Sequence, residues 1–155
     1  MKGIIAYLLV LLAAIIGVAC IILQGLLPPW LATLQIPISC ALVGAVGGIT
    51  YCLRGVYLNA CIRKQWDAAW HPWYYIRPIV SLICGAVSFV FLKAGLLVLD
   101  AAQKPDANLL GFYALAFIAG FNVDKFVAKL EDIAHATWGI EKSRTGKGDG
   151  KDKEQ

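Results

Sequence analysis

Two histidines, five cysteines and one run of cations and aromatic rings are the residues of this chain equipped for chemistry. His71 and His135 could bind a metal or move a proton, but neither has a partner ligand at metal-site spacing in the sequence. Cys20, Cys40, Cys52, Cys61 and Cys84 are scattered without a C-x-x-C, and all lie in or beside apolar segments. Small apolar packing residues are the reading that pattern favours. A Cys20–Cys40 disulfide stays open if both lie at similar depth near an oxidising compartment. No phosphate-binding lysine loop, G-x-S-x-G, H-E-x-x-H or pair of carboxylates within one apolar segment is present. The glycine-rich stretches lie in apolar helix and cannot cradle phosphate as a strand-to-helix loop does. These absences predict a protein that is not an enzyme, with no catalytic residue, no cofactor and no metal.

The run of cations and rings occupies residues 54–78. Arg54, Arg63, Lys64 and Arg77 stand there against Asp67 alone, with three of the five tryptophans of the chain. Trp and Tyr concentrate at membrane interfaces because the ring is apolar while its N–H or O–H prefers the headgroups. Lys and Arg close to a membrane span mark the cytoplasmic side. Arg63, Lys64, Trp66, Trp70, Trp73 and Arg77 therefore read as an interfacial anchor on the inner face. A nucleic-acid surface is the competing reading, and two flanking apolar spans make it the poorer one; no nucleic-acid partner is expected.

The elements that must position these residues are membrane helices. Of 155 residues, 59% are hydrophobic and only 15% are charged, where a soluble domain carries about 25%; the mean hydropathy is +0.69. The formal charge of +4 is less informative than its placement beside apolar runs.

The first span is predicted over 4–23, matching the roughly 20 residues needed to cross a bilayer core. A signal peptide is the alternative, disfavoured because the run exceeds the apolar core of about 7–15 residues and continues past Cys20. Residues 25–37 carry no charge, are broken by Pro28-Pro29, and belong outside. The second span is predicted over 38–58, with Cys40, Gly44, Gly48 and Cys52 forming a small-residue stripe. Such stripes let backbones approach in lipid, although glycine is also commonplace in membrane helices; both readings stand.

The third span is predicted over 78–99, Pro78 taking the first helical position. Ser81, Gly85 and Ser88 give it a small face. Lys93 falls about 22 Å into a core of about 30 Å, either snorkelling outward or facing a pore. Residues 100–108 form a second outer loop.

The fourth span is predicted over 109–123, continuing as an amphipathic extension to 138 along Phe126, Val127, Leu130, Ile133, Ala134 and Trp138. Ala116 and Gly120 add a small-residue pair, and Asn122 is a polar candidate for a pore-facing position. Gly139 ends the helix, and 139–155 is predicted to be a disordered cytoplasmic tail. From Asp124 onward there are seven basic residues, and basic residues set orientation. The fold class is thus an all-α membrane protein: one domain over 1–138, four transmembrane helices, N-in and C-in, in a bacterial inner membrane. Gly44, Gly48, Gly85, Ala116 and Gly120 are the packing candidates.

The segments Tyr75-Ile76-Arg77-Pro78, Lys93-Ala94-Gly95-Leu96-Leu97 and Ala116-Phe117-Ile118-Ala119-Gly120-Phe121 resemble small bacterial multi-pass membrane proteins. The four-span layout with a cytoplasmic tail, over about 70–131, is similar to that of the membrane subunit of the Kiwa anti-phage system; small retron-associated membrane effectors share only size and membrane embedding. The resemblance implies a membrane subunit that senses phage attack or permeabilises the membrane with a cytosolic protein partner; a homo-oligomer is expected separately, because four short helices rarely enclose an aqueous path alone. An anchor for a soluble protein, or a small oligomeric channel or transporter, is the alternative.

Overall fold

Apolar stretches of about twenty residues, punctuated by proline, glycine and charge, become helices because a buried backbone must satisfy its hydrogen bonds internally. The computed structural model describes residues 2–26, 28–64, 68–95 and 105–140, with the side chains of 68 and 105–108 excepted. Trp66, most of the expected outer loop 100–108, residues 96–99 of the expected third span and 141–155 of the tail lie outside the described residues.

Five α-helices are present among the described residues: α1 (Lys2–Leu23), α2 (Gln35–Tyr57), α3 (His71–Lys93), α4 (Pro105–Phe121) and α5 (Val123–Trp138). Among the described residues there is no strand. The chain divides into two compact units, Met1–Val123 and Asp124–Gln155.

In the first unit α2 is the central helix, and α3 runs antiparallel to it. Going up α2, Gly44, Gly48 and Gly55 meet Gly85, Ser81 and Tyr74 going down α3. The α3–α4 pair is antiparallel as well. Ser81 Oγ donates to the Gly120 carbonyl at 2.9 Å. Eight residues further along α3, Phe89 packs at a tilt on Phe112, eight residues back along α4, at 5.3 Å between ring centroids. The α1 helix lays a narrow stripe of Ile4, Leu8 and Ile15 against Ala45, Ile49, Cys52 and Val56 of α2 and Tyr74 of α3. Its other faces are apolar and open: Leu9, Val10, Ile16 and Ile21 are exposed. A helix that is apolar all round but packed on one stripe suits lipid, not water.

Three boundaries differ from those expected. The third helix starts at His71, not Pro78, because Pro72 supplies the preset φ near its first position; Pro78 sits inside α3, fully buried. The same helix stops at Lys93 rather than 99. Lys93 is therefore its last residue, exposed with Nζ 5.7 Å from the Phe89 ring, and not part-way down a span. The fourth helix is not continuous to 138. It ends at Phe121, Asn122 is a turn residue, and α5 begins at Val123; a polar side chain and a charged residue at 124 replace the apolar run there. Along α5 Phe126 is buried, Leu130, Ile133 and Ala134 are half-buried, and Val127 and Trp138 are exposed.

Among the described residues three helices are long and apolar enough to cross a membrane: Lys2–Leu23, Ala32–Ile62 and His71–Lys93. The count rises to four if the broken pair α4 and α5 is taken as one span.

Candidate functional site

The packing residues come together at one point. A Cβ added at Gly44 would stand 2.6 Å from the Ser81 carbonyl oxygen and 2.7 Å from the Gly85 Cα. One added at Gly85 would stand 2.5 Å from the Cys40 carbonyl oxygen, and one at Gly120 would run into the carbonyl of Gly44. Gly44, Gly85 and Gly120 thus bring three backbones into contact, where dispersion and Ser81's hydrogen bond replace the missing hydrophobic drive. Gly48 leaves room for the Ser81 side chain, while Ala116 is fully buried on α4. Gly47, not singled out from sequence, makes a second close approach, to the Phe117 carbonyl and the Phe121 N–H; its signal was the spacing of three residues from Gly44.

At one end of this bundle the chain opens into a cleft of about 540 Å³, lined by Tyr51, Arg54, Leu58 and Asn59 on one side and Trp70 and Trp73 on the other, with Arg63 at the rim and Tyr74 and Gly55 behind. That volume falls in the range of about 300–1,000 Å³ common for small-molecule sites. Local backbone chemistry shapes it. Beyond Tyr57, residues Leu58–Ile62 form a π turn, in which the Arg63 N–H donates to the Leu58 carbonyl at 2.9 Å. A bond to the fifth preceding residue stacks Arg63 one turn above Leu58, a cleft residue. In an unbroken α-helix Arg63 would be rotated about 140° away. Such π turns recur at functional sites. Lys64 follows with φ of 52°, turning the chain away, and is exposed outside the lining.

The opposite wall is held by ring contacts. Trp73 meets Tyr74 edge-on at 5.0 Å and Tyr51 at 5.9 Å; Tyr51 also meets Phe121 of α4 edge-on at 5.5 Å. Tyr7 of α1 packs on Tyr75 at 4.9 Å. Behind the wall lies Arg77, buried, its guanidinium 4.8 Å from the Tyr51 ring and 5.3 Å from the Trp73 ring. A desolvated cation on two π-faces is a stronger clamp than an exposed one. Asn59 hydrogen-bonds with the Tyr74 hydroxyl, tying the π turn to α3.

Of the six expected anchor residues, Arg63, Trp70 and Trp73 line the cleft, Arg77 backs it, Lys64 is outside it and Trp66 lies beyond the described residues. Tyr51 and Asn59 were not legible as site residues. Their signal was the spacing of 51, 54–55 and 58–59, one face of a helix. Lys93 and Asn122 do not meet: one ends α3 and the other follows α4, at opposite ends of the antiparallel pair. His71 and His135 belong to different units. Among the described residues no three His, Cys, Asp or Glu side chains gather as a metal site would need, and none of the five cysteines is in a disulfide.

The fold and cleft define a class: an all-helical protein with three or four helices able to span a membrane and a basic, aromatic recess at one end. No protein family, curated protein or solved structure matches the chain.

Proposed function

We propose that the chain is a non-enzymatic multi-pass subunit of a bacterial inner membrane, with four spans and both termini in the cytoplasm, and that it senses the state of that membrane. One observation carries the reading: among the described residues of the first unit the basic side chains gather at one end of the bundle, with Lys93 alone at the other. The start of α1 bears Lys2, and the end of α2 with the start of α3 bears Arg54, Arg63, Lys64 and Arg77, while the turn between α1 and α2 bears none. Basic residues resist translocation, so the cleft end faces the cytoplasm. A sensing role is favoured over a permeabilising one because Gly44, Gly85 and Gly120 bring α2, α3 and α4 backbone against backbone at the centre of the bundle. In the anti-phage setting implied by the resemblance to the Kiwa membrane subunit, a cytosolic partner would receive the signal.

Two measurements test this. Membrane-impermeant maleimide should label a Gln24→Cys variant in intact cells but reach Cys61, exposed beside the cleft, only after permeabilisation. Labelling of Cys61 in intact cells would overturn the orientation. Purified protein reconstituted in liposomes should give no ion leak above protein-free vesicles, and a leak abolished by Lys93→Ala would instead establish permeabilisation.

A further inference from the structure

The cleft carries more than an anchoring role requires. Anchoring is satisfied by arginines and tryptophans scattered around a bundle at headgroup level, each facing outward. Here Arg54 and Arg63 border the same recess, and the π turn is what brings Arg63 round to it. The unit Met1–Val123 has acidic residues only at Asp67, Asp100 and Asp106, so among its described side chains there is no carboxylate at all. Among the described lining residues, the polar groups beside the two guanidiniums are amide, hydroxyl and indole. Trp70 and Trp73 are each 40% exposed, so the pocket has open indole surface as well as open charge.

We propose that this cleft binds one anionic phosphate ester, the headgroup of an anionic phospholipid of the inner leaflet. Planar guanidinium groups bind phosphate oxygens in bidentate fashion and suit them better than an ammonium. Asn59 offers an amide N–H as a further donor. Trp70 and Trp73 cover the apolar glycerol end while their indole N–H groups remain in the headgroup layer. Basic pockets between membrane helices on the cytoplasmic side recognise anionic headgroups in this way. Arg77, behind the wall, positions Tyr51 and Trp73. The identification of the phosphate as a lipid's rests on the cytoplasmic, headgroup-level reading above; the phosphate chemistry itself does not.

The test titrates the detergent-solubilised full chain with short-chain phosphatidylglycerol, short-chain phosphatidylcholine and inorganic phosphate, reading tryptophan fluorescence. Phosphatidylglycerol should bind saturably and tighter than phosphatidylcholine. Arg54→Gln and Arg63→Gln should each weaken it about five-fold, and the pair about 30-fold. Lys93→Gln, at the other end of the bundle, should leave it unchanged. Inorganic phosphate competing as well as the lipid would assign the site to a soluble phosphate and remove the lipid part of the proposal. Equal binding of the two lipids, or binding by the double variant within about two-fold of the native chain, would overturn it altogether. Both arginines are exposed, and circular dichroism of the single Arg63→Gln variant separates loss of the site from loss of fold. Because the titration is made in detergent, it succeeds or fails independently of the labelling that tests orientation.

Discussion

Gly120→Ala should strongly destabilise the folded bundle, by about 3 kcal/mol or more. Overpacking a tight core usually costs about 1–3 kcal/mol when side chains can yield. Here the added methyl meets the Gly44 carbonyl, carbon and Cα of α2, and backbone cannot yield without parting the helices. Gly44→Ala should do comparable damage, since its methyl meets α3 backbone at both Ser81 and Gly85. The control is Gly17→Ala: nothing lies within 4 Å of that added methyl, so the change removes only glycine's flexibility and should stabilise α1 by about 0.5–1 kcal/mol. Thermal or denaturant unfolding in detergent reads all three. A Gly120→Ala protein within about 0.5 kcal/mol of the native chain would refute the three-backbone contact.

The second large effect is one that a partner substitution repairs. Gly48→Ala should cost about 2–3 kcal/mol, because the methyl runs into the Ser81 side chain. That neighbour is a side chain and can be removed. Gly48→Ala with Ser81→Gly moves the small residue from α2 to α3 and restores the space, so it should recover most of the loss. Recovery is incomplete because Ser81 also donates to the Gly120 carbonyl at 2.9 Å. Buried hydrogen bonds between membrane helices average about 0.6 kcal/mol, with a maximum near 1.7, and glycine in a helix costs about 0.5–1 kcal/mol more. A double variant no more stable than Gly48→Ala alone would place Gly48 and Ser81 apart. The same pair of experiments sets the register of the antiparallel α2–α3 hairpin, and with it which residues of each helix can reach the cleft.

Much of this was written into the order of residues. Apolar run length and the absence of charge determine that α1, α2 and α3 are helices able to cross a bilayer, because a backbone in lipid has no other way to satisfy its polar groups. Side-chain size alone marks Gly44, Gly48, Gly85, Ala116 and Gly120 as a packing face. Charge placement alone singles out residues 54–78 as the basic, aromatic end. Boundaries at proline were harder to read: Pro78 fits a first-turn position as well as an interior one, and α3 instead starts at His71 with Pro72 in its first turn, leaving Tyr74, Arg77 and Pro78 buried inside it.

What periodicity could not supply was direction within that basic end. Arg63 reads as one more exposed cation until the π turn shifts it onto the face of Leu58, since a helix wheel assumes a constant turn angle. Tyr51 and Asn59 read as ordinary polar positions until α3 is packed across from them. Arg77 reads as a surface anchor until two rings close over it. The sequence by itself determined that this end of the protein is cationic and aromatic, because composition sets charge. Whether those groups scatter around a rim or converge on one pocket was decided by tertiary structure alone, because convergence depends on helix register and on one extra residue in a turn.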